Sequence, residues 1–310
     1  MKYFIKFLLF FLAFFIAFIV FNYNSGTPVD ELIEEYTYPE SEFLKYDGMP
    51  VHYRKTGKGP ILLLLHGVAS SLHTWEGWHN ELSNDFTVIS LDVPGFGLTG
   101  PNPNNDYSVK MYMSMLDALL DELHIDSCFM AGNSFGGYLT WNYALHNVSR
   151  VKKIVLINAA GFNANRKIEN PGFKLAMNPL TKKISHRITP YFLVKRSVED
   201  VYGDRTKVTE EIVDRYNDLL LRKGNREAFS EILNNLHSGK VMPDLIGSIT
   251  QPTLIMWGSH DRIIDPEDAS RFQEAIKDSK LIMYPDVGHV PMEEIPVQTA
   301  NDIRNFLLEN

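Results

Sequence analysis

With 310 residues, 45% of them hydrophobic and 22% charged, the chain can bury a sizeable core, and 30 basic against 38 acidic residues leave a net charge of −8 at pH 7. No basic tract interrupts that acidic balance, which excludes the electrostatic footprint of a nucleic-acid binder, so no nucleic-acid partner is expected. The single cysteine, Cys128, cannot close an internal disulfide, and with only scattered histidines beside it no metal or other cofactor is expected.

Residues 1–21 form the first element. Lys2 and Lys6 precede an unbroken apolar run of 15 residues from Phe7 to Phe21, and eight of the first 21 residues are Phe. A membrane-spanning helix needs about 20 apolar residues and a signal-peptide core about 7–15, so length alone fits both. The flank decides in favour of an uncleaved signal anchor: Asn22 to Pro28 holds no clear A-x-A cleavage site, and Phe, Ile and Val fill the last turns. Membrane contact is therefore expected through residues 3–21. No Lys or Arg follows Lys6 until Lys45, so the positive-inside rule predicts a single-pass protein with its folded part on the extracytoplasmic side. Secretion after cleavage is the alternative. Residues 22–40, rich in Asp and Glu, read as an acidic linker or a short surface helix, and residues 41–310 as one folded domain.

Strand candidates then alternate with helical patterns: Val51–Lys55, Ile61–His66, Thr87–Asp92, Cys128–Gly132, Ile154–Asn158, Thr253–Trp257 and Leu281–Tyr284. Such alternation predicts an α/β fold with a mostly parallel, doubly wound sheet. The fourth strand runs into Gly132–Asn133–Ser134–Phe135–Gly136–Gly137 and then into helix-like sequence. A serine flanked this way sits on a tight strand-to-helix turn that lifts its hydroxyl out of the sheet and aims the first helical N–H groups at a developing oxyanion.

A serine hydroxyl needs a positioned base, and the base needs a carboxylate to hold its tautomer. Downstream, Thr253–Trp257 is followed by a loop carrying Asp261, Asp265 and Asp268, and Leu281–Tyr284 by Gly288–His289. Both segments put polar residues just past the carboxyl ends of strands, the edge at which sites form in open parallel sheets. Between Gly161 and about Leu245 the strand signal disappears, and residues 162–245 read as helical. Apolar residues there, among them Phe173, Leu180 and Phe192, interleave with Arg166, Lys167, Lys174, Lys182, Lys183, Arg187, Lys195 and Arg196.

From about Phe43 onward the chain resembles the α/β-hydrolase-fold serine hydrolases of the esterase and lipase kind. The resemblance rests on the Ser134 elbow, on Leu65–His66–Gly67–Val68, and on Asp92–Val93–Pro94–Gly95–Phe96–Gly97. It implies Ser134 as nucleophile, Asp261 and His289 as its partners, and the backbone N–H groups of Val68 and Phe135 as the oxyanion hole. It also implies that residues 162–245 cap the site as a lid inserted before the acid-bearing strand; their interleaved charges read as the solvated outer face of an amphipathic cap or, given the N-terminal anchor, as a basic face resting on anionic lipid headgroups. His66 is expected to brace the oxyanion loop, Cys128 to pack as a small hydrophobe, Trp75 to pack the helix after that loop, and Asp286 to serve a turn. The implied activity is hydrolysis of a small-molecule or lipid ester with an apolar acyl group. C–C bond hydrolysis of the meta-cleavage kind and a non-catalytic, membrane-tethered ligand-binding role are the alternatives. Relatives that open epoxides or remove halogens use an aspartate nucleophile, which Ser134 excludes.

Overall fold

The computed structural model describes residues 1–162, 170–237 and 242–309. Its eight-stranded sheet has the order β1-β2-β4-β3-β5-β6-β7-β8, with β1 (Ser41–Tyr46), β2 (Met49–Gly57), β3 (Ile61–Leu65), β4 (Thr87–Leu91), β5 (Cys128–Asn133), β6 (Val151–Ile157), β7 (Thr253–Gly258) and β8 (Ser279–Tyr284). β1 pairs antiparallel with β2, and β2 antiparallel with β4; every other pairing is parallel. The chain therefore has the α/β-hydrolase fold, a mostly parallel sheet flanked by helices.

The strands explain themselves. Ile61–Leu65 reads Ile-Leu-Leu-Leu-Leu because a central parallel strand is covered on both faces. Leu63 and Leu65 point into one core with Ile89, Met130 and Leu156, while Leu62 and Leu64 point into the other with Val88, Ala131 and Val155. Burying each such leucine contributes about 1.5–3 kcal/mol. The first core is closed by α4 (Val109–Glu122), α5 (Phe135–His146) and α11 (Glu267–Ala275), the second by α3 (Glu76–Leu82) and α13 (Pro296–Leu308).

The sequence reading missed β1. Asp47 and Gly48, with φ of 45° and 80°, make the two-residue turn that folds β1 back on β2. Both central residues of such a turn need positive φ, a requirement an Asp-Gly pair meets well.

α1 (Lys2–Asn22) has no buried residue and is long and apolar enough to cross a membrane; near an N-terminus, a signal sequence has the same properties. α2 (Asp30–Tyr36) follows, burying Leu32 and Tyr36 against Leu98 and Leu219. Residues 22–29 do not hang free: Asn24 N–H donates to Arg187 O (2.8 Å) and Thr27 N–H to Leu221 O (2.8 Å).

Between β6 and β7 the described residues form α6 (Pro171–Met177), α7 (Lys182–Ser185), α8 (Tyr191–Val201), α9 (Glu210–Leu221) and α10 (Asn225–His237). Arg166 and Lys167, read above as part of a basic outer face, lie outside the described residues. The short α12 (Pro291–Glu294) precedes α13.

Candidate active site

Ser134 occupies the turn between β5 and α5 with φ 55° and ψ −115°, a backbone conformation that a non-glycine residue adopts only when its surroundings impose it. Two glycines impose it. A β-carbon on Gly136 would lie 2.0 Å from Leu65 O, and one on Gly132 would lie 2.2 Å from Gly136 O, so the helix start can press against β3 and β5 only without side chains. Ser134 itself is 6% exposed, and among the described residues its hydroxyl makes no hydrogen bond.

The loop after β3 closes on the serine from the other side. A β-carbon on Gly67 would meet Ser134 Cβ at 3.0 Å, which fixes how near this loop comes. Among the described residues neither the Val68 nor the Phe135 N–H has a hydrogen-bond partner. His66 braces the loop: Nδ1 donates to Gly67 O (2.7 Å) and Nε2 accepts from Val93 N–H (2.9 Å). Burial pushes the pKa of His66 down, and one donating with one accepting nitrogen suits the neutral ring.

Asp261 lies in the loop after β7 and His289 in the loop after β8. His289 Nδ1 is 2.8 Å from Asp261 Oδ2, with both residues buried. The carboxylate is held independently by the N–H groups of Ile263 (2.7 Å) and Ile264 (3.0 Å) on Oδ1. Its neighbours take other roles: Asp265 accepts from Glu267 N–H at the start of α11, and Asp268 pairs with Arg271 at 3.0 Å. Asp286 sits at φ 62° in the turn after β8. Trp75 packs on Trp78 of α3 with ring centres 5.0 Å apart and planes tilted by 47°, and burial raises the Cys128 thiol to about 12.

Two asparagines complete the cluster and went unread in the sequence. Asn158, at the carboxyl end of β6 with φ 44°, donates from Nδ2 to Asp261 Oδ2 at 2.7 Å. Asn133, just before the serine, donates to His289 O at 2.9 Å. The signal that picked out Ser134 and His289, a polar residue just past a strand's carboxyl end, applies to Asn158 as well.

A second hydrogen-bonded Ser–His–Asp set exists elsewhere. His52 Nδ1 meets Asp92 Oδ2 at 2.7 Å and His52 Nε2 meets Ser41 Oγ at 2.7 Å. Ser41 opens strand β1 and stands on no strand-to-helix turn. Asp92 also accepts from Leu72 and Leu98 N–H, so this set pins the loops after β3 and β4.

The segment between β6 and β7 is fastened to the loops after β3 and β8 by two glutamates on α12, Glu294 buried and Glu293 with its side chain 8% exposed. Glu293 receives Arg215 Nη2 (2.8 Å) and the hydroxyls of Tyr216 (2.8 Å), Tyr202 (2.7 Å) and Thr74. Burial works against its charge, but Arg215 and those hydroxyls outweigh it and hold the carboxyl below its usual range. Glu294 accepts from Gly203 N–H (2.9 Å) and Gly288 N–H (2.8 Å), while His289 N–H donates to Val201 O (2.7 Å). The His289 loop is thus shared between core and cap.

A cavity of about 130 Å³ lies under the cap, lined mainly by apolar side chains such as Phe173, Leu193, Val194 and Phe229. It reaches the loop after β3 at Val68 and Ala69 and includes neither Ser134 nor His289 in its wall.

A mostly parallel sheet with a serine elbow, and acid and histidine at successive strand ends, defines the α/β-hydrolase class. The family profile for the alpha/beta hydrolase fold matches residues 60–180 and 213–296, and the chain belongs to that family. It is 29% identical over 253 residues to the 2-hydroxy-6-oxo-2,4-heptadienoate hydrolase of Pseudomonas putida, covering 78% of this chain and 87% of that one. It is 28% identical over 260 residues to Lipase 3 of a Moraxella species, covering 80% and 77%. Among solved structures, a bacterial membrane phospholipase A superposes with a TM-score of 0.74 at 24% identity, over 99% of this chain and 98% of that one. Fold and relatives together support hydrolase activity, and the bond cleaved differs among the relatives.

Proposed function

We propose that this protein is a serine carboxylic-ester hydrolase, anchored in a membrane by α1 with its catalytic domain on the extracytoplasmic side, acting on esters with an apolar acyl group. The observation that carries the reading is the 2.8 Å contact of His289 Nδ1 with Asp261 Oδ2 beside the elbow serine. With Nδ1–H held by the carboxylate, Nε2 is the basic nitrogen. His289 takes the Ser134 proton as Oγ attacks the ester carbonyl, and Asp261 stabilises the imidazolium that forms. The N–H groups of Val68 and Phe135 hold the tetrahedral oxyanion. His289 then protonates the departing alcohol, and water activated by the same ring hydrolyses the acyl-enzyme.

The apolar cavity supports an acyl-binding role. At about 130 Å³ it is near the roughly 150 Å³ at which an engineered cavity takes up benzene, so a short acyl group fits within it and a long chain extends beyond it. A second reading, C–C bond hydrolysis, is favoured by the 29% identity to the heptadienoate hydrolase. Hydrolysis of a p-nitrophenyl ester series by the full chain in detergent, beside Ser134→Ala, separates them. Turnover that depends on Ser134 and varies with acyl length supports the ester hydrolase; cleavage of a vinylogous diketone without ester turnover supports the other.

A further inference from the structure

We propose that the outer side of the cap segment α6–α8 is itself a membrane-contacting surface, seated in the leaflet from which α1 emerges, so that the acyl cavity opens toward lipid. This inference rests on reading α1 as the anchor.

The chain leaving α1 is stitched to the cap at once. Thr189 N–H donates to Asn22 O, Tyr23 bridges to Ile188, and Asn24 N–H donates to Arg187 O at 2.8 Å. The Arg226 guanidinium, 4% exposed, donates to Asn24 O at 2.7 Å and to Thr189 Oγ1 at 3.1 Å. One residue of extended chain spans at most about 3.6 Å, so the α7–α8 connection lies within a few ångströms of the end of the spanning helix.

The side chains around that connection are apolar and uncovered. Leu180, Ile184 and Phe192 are 87%, 57% and 60% exposed, next to a strap whose own Phe21 and Tyr23 are 90% and 56% exposed. Single exposed hydrophobes such as Val148, Met242 and Val297 stand elsewhere and need no explanation, but Leu180, Ile184 and Phe192 lie on the segments that meet a spanning helix, which fits a lipid interface. Among the described residues, most of the basic side chains expected to face anionic headgroups are neutralised by acidic neighbours on the cap surface, Lys182 by Glu231 (3.4 Å), Arg187 by Glu227 (2.6 Å), Lys195 by Glu210 and Arg196 by Asp200 (3.4 Å), which leaves Lys174 and Lys183. The contact is therefore hydrophobic in kind. The same segments supply Leu175, Ile188, Thr189 and Leu193 to the cavity wall, and Leu175 is also 37% exposed, so the cavity wall reaches the surface on this side.

The buried Cys128 leaves an introduced cysteine as the reactive thiol. Full-length Leu180→Cys, Phe192→Cys and, as control, Asp126→Cys at the amino end of β5 are labelled with an environment-sensitive fluorophore. Each is reconstituted into phosphatidylcholine vesicles carrying nitroxide lipids. Quenching about threefold stronger at 180 and 192 than at 126, persisting in high salt, is expected. Equal quenching at the three sites overturns the proposal, as does quenching that appears only with anionic lipid and vanishes in salt. Loss of the protein from carbonate-washed vesicles overturns the α1 reading, a result distinct from labels that stay dry on anchored protein. As a second readout, Leu180→Asp with Phe192→Asp is expected to leave hydrolysis of p-nitrophenyl acetate unchanged and to slow hydrolysis of a vesicle-embedded ester about tenfold. An equal fall on both substrates contradicts the proposal.

Discussion

Replacing Asn158 by alanine removes one of four hydrogen bonds on the Asp261 carboxylate, the 2.7 Å contact on the oxygen that also faces His289. A hydrogen bond to a charged group is worth about 1.5–3 kcal/mol. The two backbone donors on Oδ1 remain, so Asp261 stays in place and most of that loss falls on the ground state and the imidazolium alike. If about a third is felt only once His289 is charged, kcat drops by roughly two- to fivefold with KM little changed. The same loss lowers the melting temperature by roughly 5 °C. Asn158→Asp gives a sign test. Two carboxyls at that separation share a proton, and the protonated form donates as the asparagine did, so the variant keeps its activity only while that proton is held. As pH rises through the raised pKa of the pair the proton leaves, the carboxylates repel, and activity falls relative to the wild type at the same pH. Steady-state ester kinetics across pH on the three proteins, with calorimetry, read both effects. An Asn158→Ala protein that loses stability as stated but keeps full kcat refutes the idea that this amide positions Asp261 for catalysis.

Arg215→Met leaves the Glu293 carboxylate buried without its cation, a change that costs about 3–5 kcal/mol and shows as a large drop in melting temperature; Glu293→Gln in the same protein restores part of it. Because the Glu293 pKa is lowered by folding, the wild type gains stability above the ordinary glutamate value of 4.5 and loses it as pH falls below, and the double variant lacks that acid step in thermal scans. Gly67→Ala pushes a methyl against Ser134 Cβ, 3.0 Å away, and Asn133 Oδ1, 3.1 Å away; displacing the Val68 N–H lowers kcat about a hundredfold in burst kinetics. Burial and a pKa raised to about 12 keep Cys128 from reacting with a disulfide reagent until denaturant unfolds the domain, and rapid reaction of the native protein contradicts its placement.

The parallel strands were legible because each is a short apolar run bounded by polar turns. The meeting of Asp261 and His289 at their ends was legible because such sheets gather polar residues along one edge. β1 was hidden: Ser41–Tyr46 alternates with Glu and Lys on an edge strand, and only the Asp47–Gly48 turn marks it. Nothing local shows that residues 22–29 lie on the cap, since their partners are Arg187, Leu221 and Arg226, far along the chain. The same holds for Glu293, whose partners Arg215 and Tyr202 are 78 and 91 residues away. Pairings of that kind are decided by tertiary packing, which no periodicity records.

The central claim is that Ser134 is a nucleophile activated by His289. Treatment of the folded, detergent-solubilised chain with a fluorophosphonate, followed by peptide mass analysis, tests it most directly. The account predicts one adduct, on Ser134, absent in Ser134→Ala and formed far more slowly in His289→Gln. An adduct on another residue, or none on a protein shown to be folded, contradicts it.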